Sequence, residues 1–272
     1  MHDQPPFVKH KKIPMAYHGK EERGSIMPYL FLSPSTQKVN LYVTEGSEQY
    51  WMNQLADRME PYLTASGINV TRNDPGGSAV ASIRQSNAGS YDFHLALHSN
   101  AAPESLSGQL RGIDAYYYPG SRWGYAMAQL VVDNLKPIYP LPQKVQTRAS
   151  TSIGELRQTR APSALIELGY HDNREDAMWL TGNLEKIALA LCRAVTQYFG
   201  LPLLTPRPAE KAVVSTRQSP LNLQGGPGVN FPVLLQMPKG TLIEVLNEYR
   251  DWYVVRREGV VGYANRHFIT LL

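Results

Sequence analysis

Two short apolar runs in this chain meet ionisable side chains where a strand would end. Phe93-His94-Leu95-Ala96-Leu97 reaches His98 and then the polar Ser99-Asn100-Ala101, and Ala164-Leu165-Ile166 reaches Glu167 before Leu168-Gly169-Tyr170. A carboxylate or an imidazole inside an apolar strand needs either a partner or a task. In a parallel α/β sheet the carboxyl ends of strands are where sites are built. If the segments at 29–32, 93–98 and 164–168 run parallel, then His98, Glu167 and the loop from Ser33 to Gln37 face one crevice. Glu48, in the first turn of a helix reached through that loop and capped by Ser47, can join them. One imidazole, two carboxylates and a loop amide are a donor set that suits zinc, with one position left open for water. The pKa of such a water falls to about 7. A further carboxylate outside the metal's own ligands can take the water's proton and pass it to a leaving nitrogen. The chemistry expected is metal-assisted hydrolysis.

Spacing separates the histidines. His94 and His98 are four apart in a strand, on one face but roughly 13 Å from each other at ~3.3 Å per residue, too far to ligate one metal together. His98 is the candidate, and His94 reads as a core histidine with its hydrogen bonds met. His171, four residues past Glu167, reads as a surface histidine, with a place in the crevice as the alternative. His2, His10, His18 and His267 have no supporting neighbours. The single cysteine, Cys192, sits in an apolar helical stretch and reads as a buried inert thiol, so no disulfide forms within the chain.

The elements that must position these side chains alternate. Strands are expected at 29–32, 68–72, 93–98, 113–118 and 164–168. Helices are expected from Ser47 to Gly67, 79–88, 123–135 and 174–199. This is the grammar of an open, mainly parallel twisted sheet flanked by helices, an α/β fold over residues 29–200 behind an irregular arm at 1–28. Residues 201–211 are Pro-rich and read as a linker. Beyond it, short β-type runs at 213–216, 221–223, 242–246, 252–255 and 260–263 are punctuated by glycines, which suggests a small all-β barrel over 212–272.

Composition limits the partners. Of 272 residues, 43% are hydrophobic and 18% charged, ordinary values for a folded chain. The net charge of +4 suits a polyanion, but no Lys/Arg cluster with interleaved aromatics supports nucleic-acid binding. No run approaches the ~18 apolar residues of a membrane span. Met1 to Lys12 is polar and lacks the apolar core of a signal peptide, so synthesis in the cytoplasm is expected.

Four segments carry a family resemblance: Leu32-Ser33-Pro34-Ser35-Thr36-Gln37, Gly46-Ser47-Glu48-Gln49, Leu97-His98-Ser99-Asn100-Ala101, and Arg160 through Tyr170 with Asn173. Over about Tyr29 to Gly200 the chain resembles the zinc-dependent N-acetylmuramoyl-L-alanine amidases, the peptidoglycan-cleaving family of autolysins and phage endolysins. The resemblance implies Zn2+ as cofactor, His98 and Glu48 as zinc ligands, Glu167 as the catalytic carboxylate, and the same α/β sheet. The chain departs from the family at the loop after the first strand, where an Asp-Pro-Gly-His-Gly type sequence usually supplies a third ligand. Ser33-Pro34-Ser35-Thr36-Gln37 has no histidine. Gln37 is the favoured substitute through its amide oxygen, a weaker zinc donor than imidazole, with Thr36 and His171 as rivals.

The tail resembles bacterial SH3-like domains through Pro220-Leu221-Asn222-Leu223, Gly226-Pro227-Gly228, Pro238-Lys239-Gly240-Thr241, Trp252-Tyr253-Val254-Val255 and Gly259 through Tyr263. Asn100, Trp252 and Tyr263 are the candidate substrate contacts; Trp252, Tyr253 and Tyr263 could offer ring faces to a peptide stem or glycan. Trp252 reads equally well as the barrel's core aromatic. Peptidoglycan is then the partner, with no nucleic acid and no membrane, and the tail raises local concentration by tethering. The expected place of action is the bacterial wall, reached by release from the cell. Two functions follow: a zinc amidase, or a non-catalytic wall-binding protein whose metal site has degenerated.

Overall fold

The structure, a computed structural model, describes residues 28–272. The arm expected at 1–28, apart from Pro28, lies outside the described residues, as do His2, His10 and His18. The larger unit runs β1 (Tyr29–Pro34), α1 (Glu48–Ala65), β2 (Asn69–Arg72), α2 (Ala79–Ala88), β3 (Phe93–Asn100), β4 (Ile113–Tyr117), α3 (Arg122–Leu135), β5 (Val145–Ala149), α4 (Gly154–Arg157), β6 (Ser163–Tyr170), α5 (Arg174–Gly182) and α6 (Leu184–Phe199). The strands form one sheet in the order β2-β1-β3-β6-β4-β5. All neighbours are parallel except β4 and β6. The helical stretch read as continuous from 174 to 199 is two helices, broken at Gly182–Asn183. Asn173 caps the first of them, its side chain accepting from the amides of Glu175 and Asp176. β5 and the single turn α4 were not legible in the sequence pattern.

The two faces of this sheet differ in chemistry. Strand alternation sends Leu30 and Leu32, Phe93, Leu95 and Leu97, and Ala164, Ile166 and Leu168 to one side, into a fully buried core with Met52, Leu55 and Met59 of α1, Met127 and Val131 of α3, and Ile187, Leu191 and Val195 of α6. The same alternation puts Ser33, His94, His98, Asp114 and Glu167 on the other face. Among the described residues the helices on that face are the short α2 and α4, over a small apolar patch of Ala96, Leu156 and Leu165. Large apolar area on one side fixes the register of every strand, and a slip of one residue would carry the polar set into the core.

The second unit is a seven-stranded antiparallel sheet in the order β13-β7-β10-β11-β12-β8-β9. Its strands are β7 (Glu210–Val214), β8 (Leu221–Gln224), β9 (Val233–Met237), β10 (Leu242–Tyr249), β11 (Trp252–Arg257), β12 (Val260–Asn265) and β13 (Ile269–Leu271). It closes over its own core of Ala212, Val214, Leu223, Val245, Val255 and Ala264. β9 and β13 complete the runs expected from sequence.

Tyr263, expected to face a ligand, is fully buried between the two units, and its hydroxyl donates to the Ser66 carbonyl at 2.8 Å. Gly67 (φ +82°) makes room for the ring: a Cβ there would lie 2.3 Å from a ring carbon. Asn69 mirrors a backbone partner, donating to the Val261 carbonyl and accepting from the Val261 amide, both at 2.8 Å. The linker is held as well. Leu204 N–H donates to Ser66 Oγ, and Asn247 Nδ2 donates to the Thr205 carbonyl. The barrel is seated beside the amino-terminal start of β2, at the opposite end of the strands from His98. Among the described residues no helix is long and apolar enough to cross a membrane.

Asn69→Ala strands two backbone groups in a buried contact. It should lower unfolding free energy by about 2–4 kcal/mol, read as a shift in the midpoint of urea unfolding followed by intrinsic fluorescence.

Candidate active site

β1 and β3 carry their polar face to the carboxyl edge of the sheet. Ser33 pairs in register with Ala96, Pro34 with Leu97, and on the other side of β3 His98 pairs with Glu167, which in turn faces Asp114 on β4. The loop after β1 folds back so that the Asn40 carbonyl accepts from the Glu48 amide at 2.8 Å. Ser47 caps α1 by accepting from the Tyr50 amide. The cap puts Glu48 at the start of the helix, aimed at the end of β3.

His98 is 8% exposed and Glu48 1%. Glu48 Oε1 lies 2.8 Å from His98 Nδ1, and the Gln37 side-chain amide lies 3.4 Å from the same nitrogen. Asn40 Nδ2 ties the arrangement together, donating to Glu48 Oε2 at 2.6 Å and to Gln37 Oε1 at 2.9 Å. On the far side of the ring, His98 Nε2 meets Glu155 Oε2 at 3.1 Å. Burial alone would suppress the charge on His98, but the hydrogen bonds to Glu155 and Glu48 hold its pKa well above the ordinary histidine range. Burial likewise opposes the charge on Glu48, and the hydrogen bond and positive field of His98, with the Asn40 amide, bring its pKa below the usual carboxylate value.

Glu167 is in the opposite state. Burial pushes its pKa up to about 7, with the negative charges of Glu48 and Asp114 adding to the effect and His98 opposing it. Its Oε2 is sealed from solvent without a hydrogen-bond partner. A carboxyl group that titrates near neutrality beside carboxylates that stay charged is how acid and base roles are divided within one site.

The other sequence candidates fall elsewhere. His94 is a fully buried core histidine, as expected, bonded to Ser86 Oγ at 3.0 Å and to Glu155 Oε1 at 3.2 Å. His171 is no surface residue: it is 5% exposed, stacked on Tyr42, and its Nδ1 is spent on Ser99 at 3.1 Å. Thr36 lines the cleft without a bond to the cluster. Asn100 is half-buried and uses its side-chain oxygen on the Ala101 amide. Trp252 borders a separate groove in the barrel. Cys192 is buried with its thiol pKa pushed up by that burial. The residue that sequence reasoning missed is Glu155. The one available signal was His94, since an imidazole buried in a strand demands a partner.

The donor set bears on whether a metal fits, although among the described residues no group of three or more His, Cys, Asp or Glu side chains is arranged as a metal site. Tetrahedral zinc with bonds of about 2.0–2.1 Å needs donors about 3.3 Å apart. His98 Nδ1, Glu48 Oε1 and the Gln37 amide lie at 2.8 and 3.4 Å, with the third position taken by an amide rather than a titratable group. A half-turn of that amide presents its oxygen, in exchange for the bond its oxygen accepts from Asn40 Nδ2. The residues fit zinc.

An open cleft of about 600 Å³ leads to this cluster past Ser33, Gln37, Val39, Gly77 and Ser78. A raised carboxyl pKa costs stability above its unfolded value. Between pH ~4.5 and ~7 the unfolded chain releases a proton from Glu167 that the folded chain keeps, so folding weakens as pH rises. In chelator-treated protein, Glu167→Gln should therefore gain on the wild type by about 1–3 kcal/mol between pH 5 and pH 8, measured by urea unfolding at each pH.

Comparison with known proteins agrees with this geometry. Residues 16–197 match the model of the family described as N-acetylmuramoyl-L-alanine amidase, and residues 219–270 match the bacterial SH3 domain. No curated protein sequence matches the chain. Among solved structures, the N-acetylmuramoyl-L-alanine amidase AmiC2 of Nostoc punctiforme is 19% identical at a TM-score of 0.55, over 65% of this chain and 99% of that one. The amidase Ami1 from Mycobacterium smegmatis is 16% identical at 0.54, over 65% and 99%. The catalytic domain of the CD27L endolysin, which targets Clostridia Difficile, is 20% identical at 0.51, over 63% and 97%. These likenesses establish the fold. With the family model spanning most of the chain, and a cluster of ionisable side chains where its strands end, this protein belongs to the N-acetylmuramoyl-L-alanine amidase family and carries a bacterial SH3 domain at its carboxyl end.

Proposed function

We propose that this chain hydrolyses the amide joining the lactyl group of N-acetylmuramic acid to the first L-alanine of peptidoglycan, with zinc held by His98, Glu48 and the Gln37 amide. The observation that carries the reading is the contrast at the end of β3 and β6: a His98–Glu48 pair with low-pKa carboxylate character beside Glu167, whose pKa is about 7 and whose Oε2 has no partner. Zinc, when bound, supplies a Lewis acid that polarises the scissile carbonyl and acidifies water. In this reading the Glu167 carboxylate accepts the water's proton and returns it to the alanine nitrogen as the C–N bond breaks. Its neighbour in register is His98, so the pairing of two strands, rather than a mobile loop, sets the distance between metal site and proton carrier. Asn40 restrains Glu48.

The wall-binding role falls to the barrel groove of about 860 Å³ that Trp252 borders. Thr216 and Gln224 line the same groove. A second reading, wall binding without hydrolysis, draws on the amide that stands where the family places an imidazole.

On purified peptidoglycan the wild-type protein should release new N-terminal L-alanine. Glu167→Gln should lower that rate by about 10²-fold or more. A chelator should abolish it and added zinc restore it. Wall binding with less than about a tenth of an equivalent of zinc and no release would establish the second reading. Trp252→Leu should weaken sedimentation with purified wall by about fivefold or more, with cleavage of a soluble muropeptide unchanged.

A further inference from the structure

Glu155 is assigned no role by the resemblance to the amidases, yet three side chains of the site converge on its carboxylate. It lies on the one-turn helix α4 and is 4% exposed. Its Oε1 accepts from Ser33 Oγ at 2.7 Å and meets His94 Nε2 at 3.2 Å; its Oε2 meets His98 Nε2 at 3.1 Å. His94 is itself held from behind by Ser86 Oγ at 3.0 Å and by its stacking on Phe31. The carboxylate is thus located by groups from β1 and β3, with His94 clamped by α2, and it reaches His98 on the ring edge away from Glu48 and Gln37.

We infer that Glu155 is a positioning residue that makes His98 a metal ligand through Nδ1. This rests on the zinc reading above and deepens it. An imidazole can ligate through either nitrogen, and the hydrogen bond at one fixes the proton there and leaves the other free to donate its lone pair. Glu155 Oε2 can only accept, so it keeps the proton on Nε2 and turns Nδ1 toward Glu48 and the Gln37 amide. It also stops ring rotation about the Cβ–Cγ bond, since a turned ring would lose both carboxylates. Glu155 is not itself a ligand in this arrangement, because the ring stands between it and the other donors. A chain whose third donor is an amide depends more heavily on the quality of its one imidazole, and the buried Ser86–His94–Glu155–His98 series supplies that constraint.

The test is zinc affinity, measured by competition with a chromogenic chelator on the full chain, for the wild type and Glu155→Gln. The near-ultraviolet circular dichroism of the zinc-free proteins serves as the check on folding. The expected result is a 10- to 100-fold weaker affinity in the variant with the spectrum retained. Nitrogen-15 NMR of the zinc-loaded wild type gives a second readout that needs no variant: a metal-shifted Nδ1 and a protonated, slowly exchanging Nε2 at His98. Equal affinities in a folded variant, or ligation through Nε2, would overturn the assignment of Glu155. A wild-type chain with no zinc affinity would overturn the zinc reading and this inference with it.

Discussion

The site depends on a single imidazole held between two carboxylates. His98 sits with Glu48 at one ring nitrogen and Glu155 at the other, all three nearly excluded from solvent. Taking three ionisable groups out of water is costly, and each is tolerable only because the others complete its hydrogen bonds. That mutual dependence explains why the surrounding loops are so closely tied. Asn40 serves Glu48 and Gln37, Ser33 serves Glu155, and the Ser47 cap fixes where Glu48 emerges. Glu167, which has no such completion, responds by favouring its neutral form.

The sheet makes this possible by dividing its labour between faces. The apolar side, filled from α1, α3 and α6, supplies the buried area that stabilises the domain and pins the strand register. The other side, which among the described residues carries only the short α2 and α4, holds Ser33, His94, His98, Asp114 and Glu167 in one plane. Rigid strands carry the reactive groups, and only Glu48, Gln37 and Glu155 come from elements that follow them. A site built this way holds its geometry through packing distant from the chemistry.

The barrel adds a fixed body. With Tyr263 buried against Gly67 and Asn69 clasping Val261, the second domain shares the first domain's core at the amino-terminal ends of the strands. It leaves the cleft open and offers its own groove at a set orientation.

Much of this was legible in the residues. Alternation of β and α periods announced the sheet, and glycine-punctuated short runs announced the barrel, because burial of one face leaves a periodic mark on any chain. His98 and Glu167 stood out as polar groups where apolar patterning gave no reason for them, and Glu48 as the first residue of a helix capped by Ser47. What the sequence could not carry was pairing across space. Glu155 occupies a one-turn helix too short for any period, and its meaning comes from His94 and His98, about sixty residues earlier in the chain. His171 and Tyr263 lie in segments that read as exposed, and only the packing of Tyr42 and of Gly67 against them shows that they are buried. Local propensity and hydrophobic rhythm are properties of neighbours in sequence. Which carboxylate meets which imidazole, and which aromatic is covered, are decided when distant strands and loops are brought into contact.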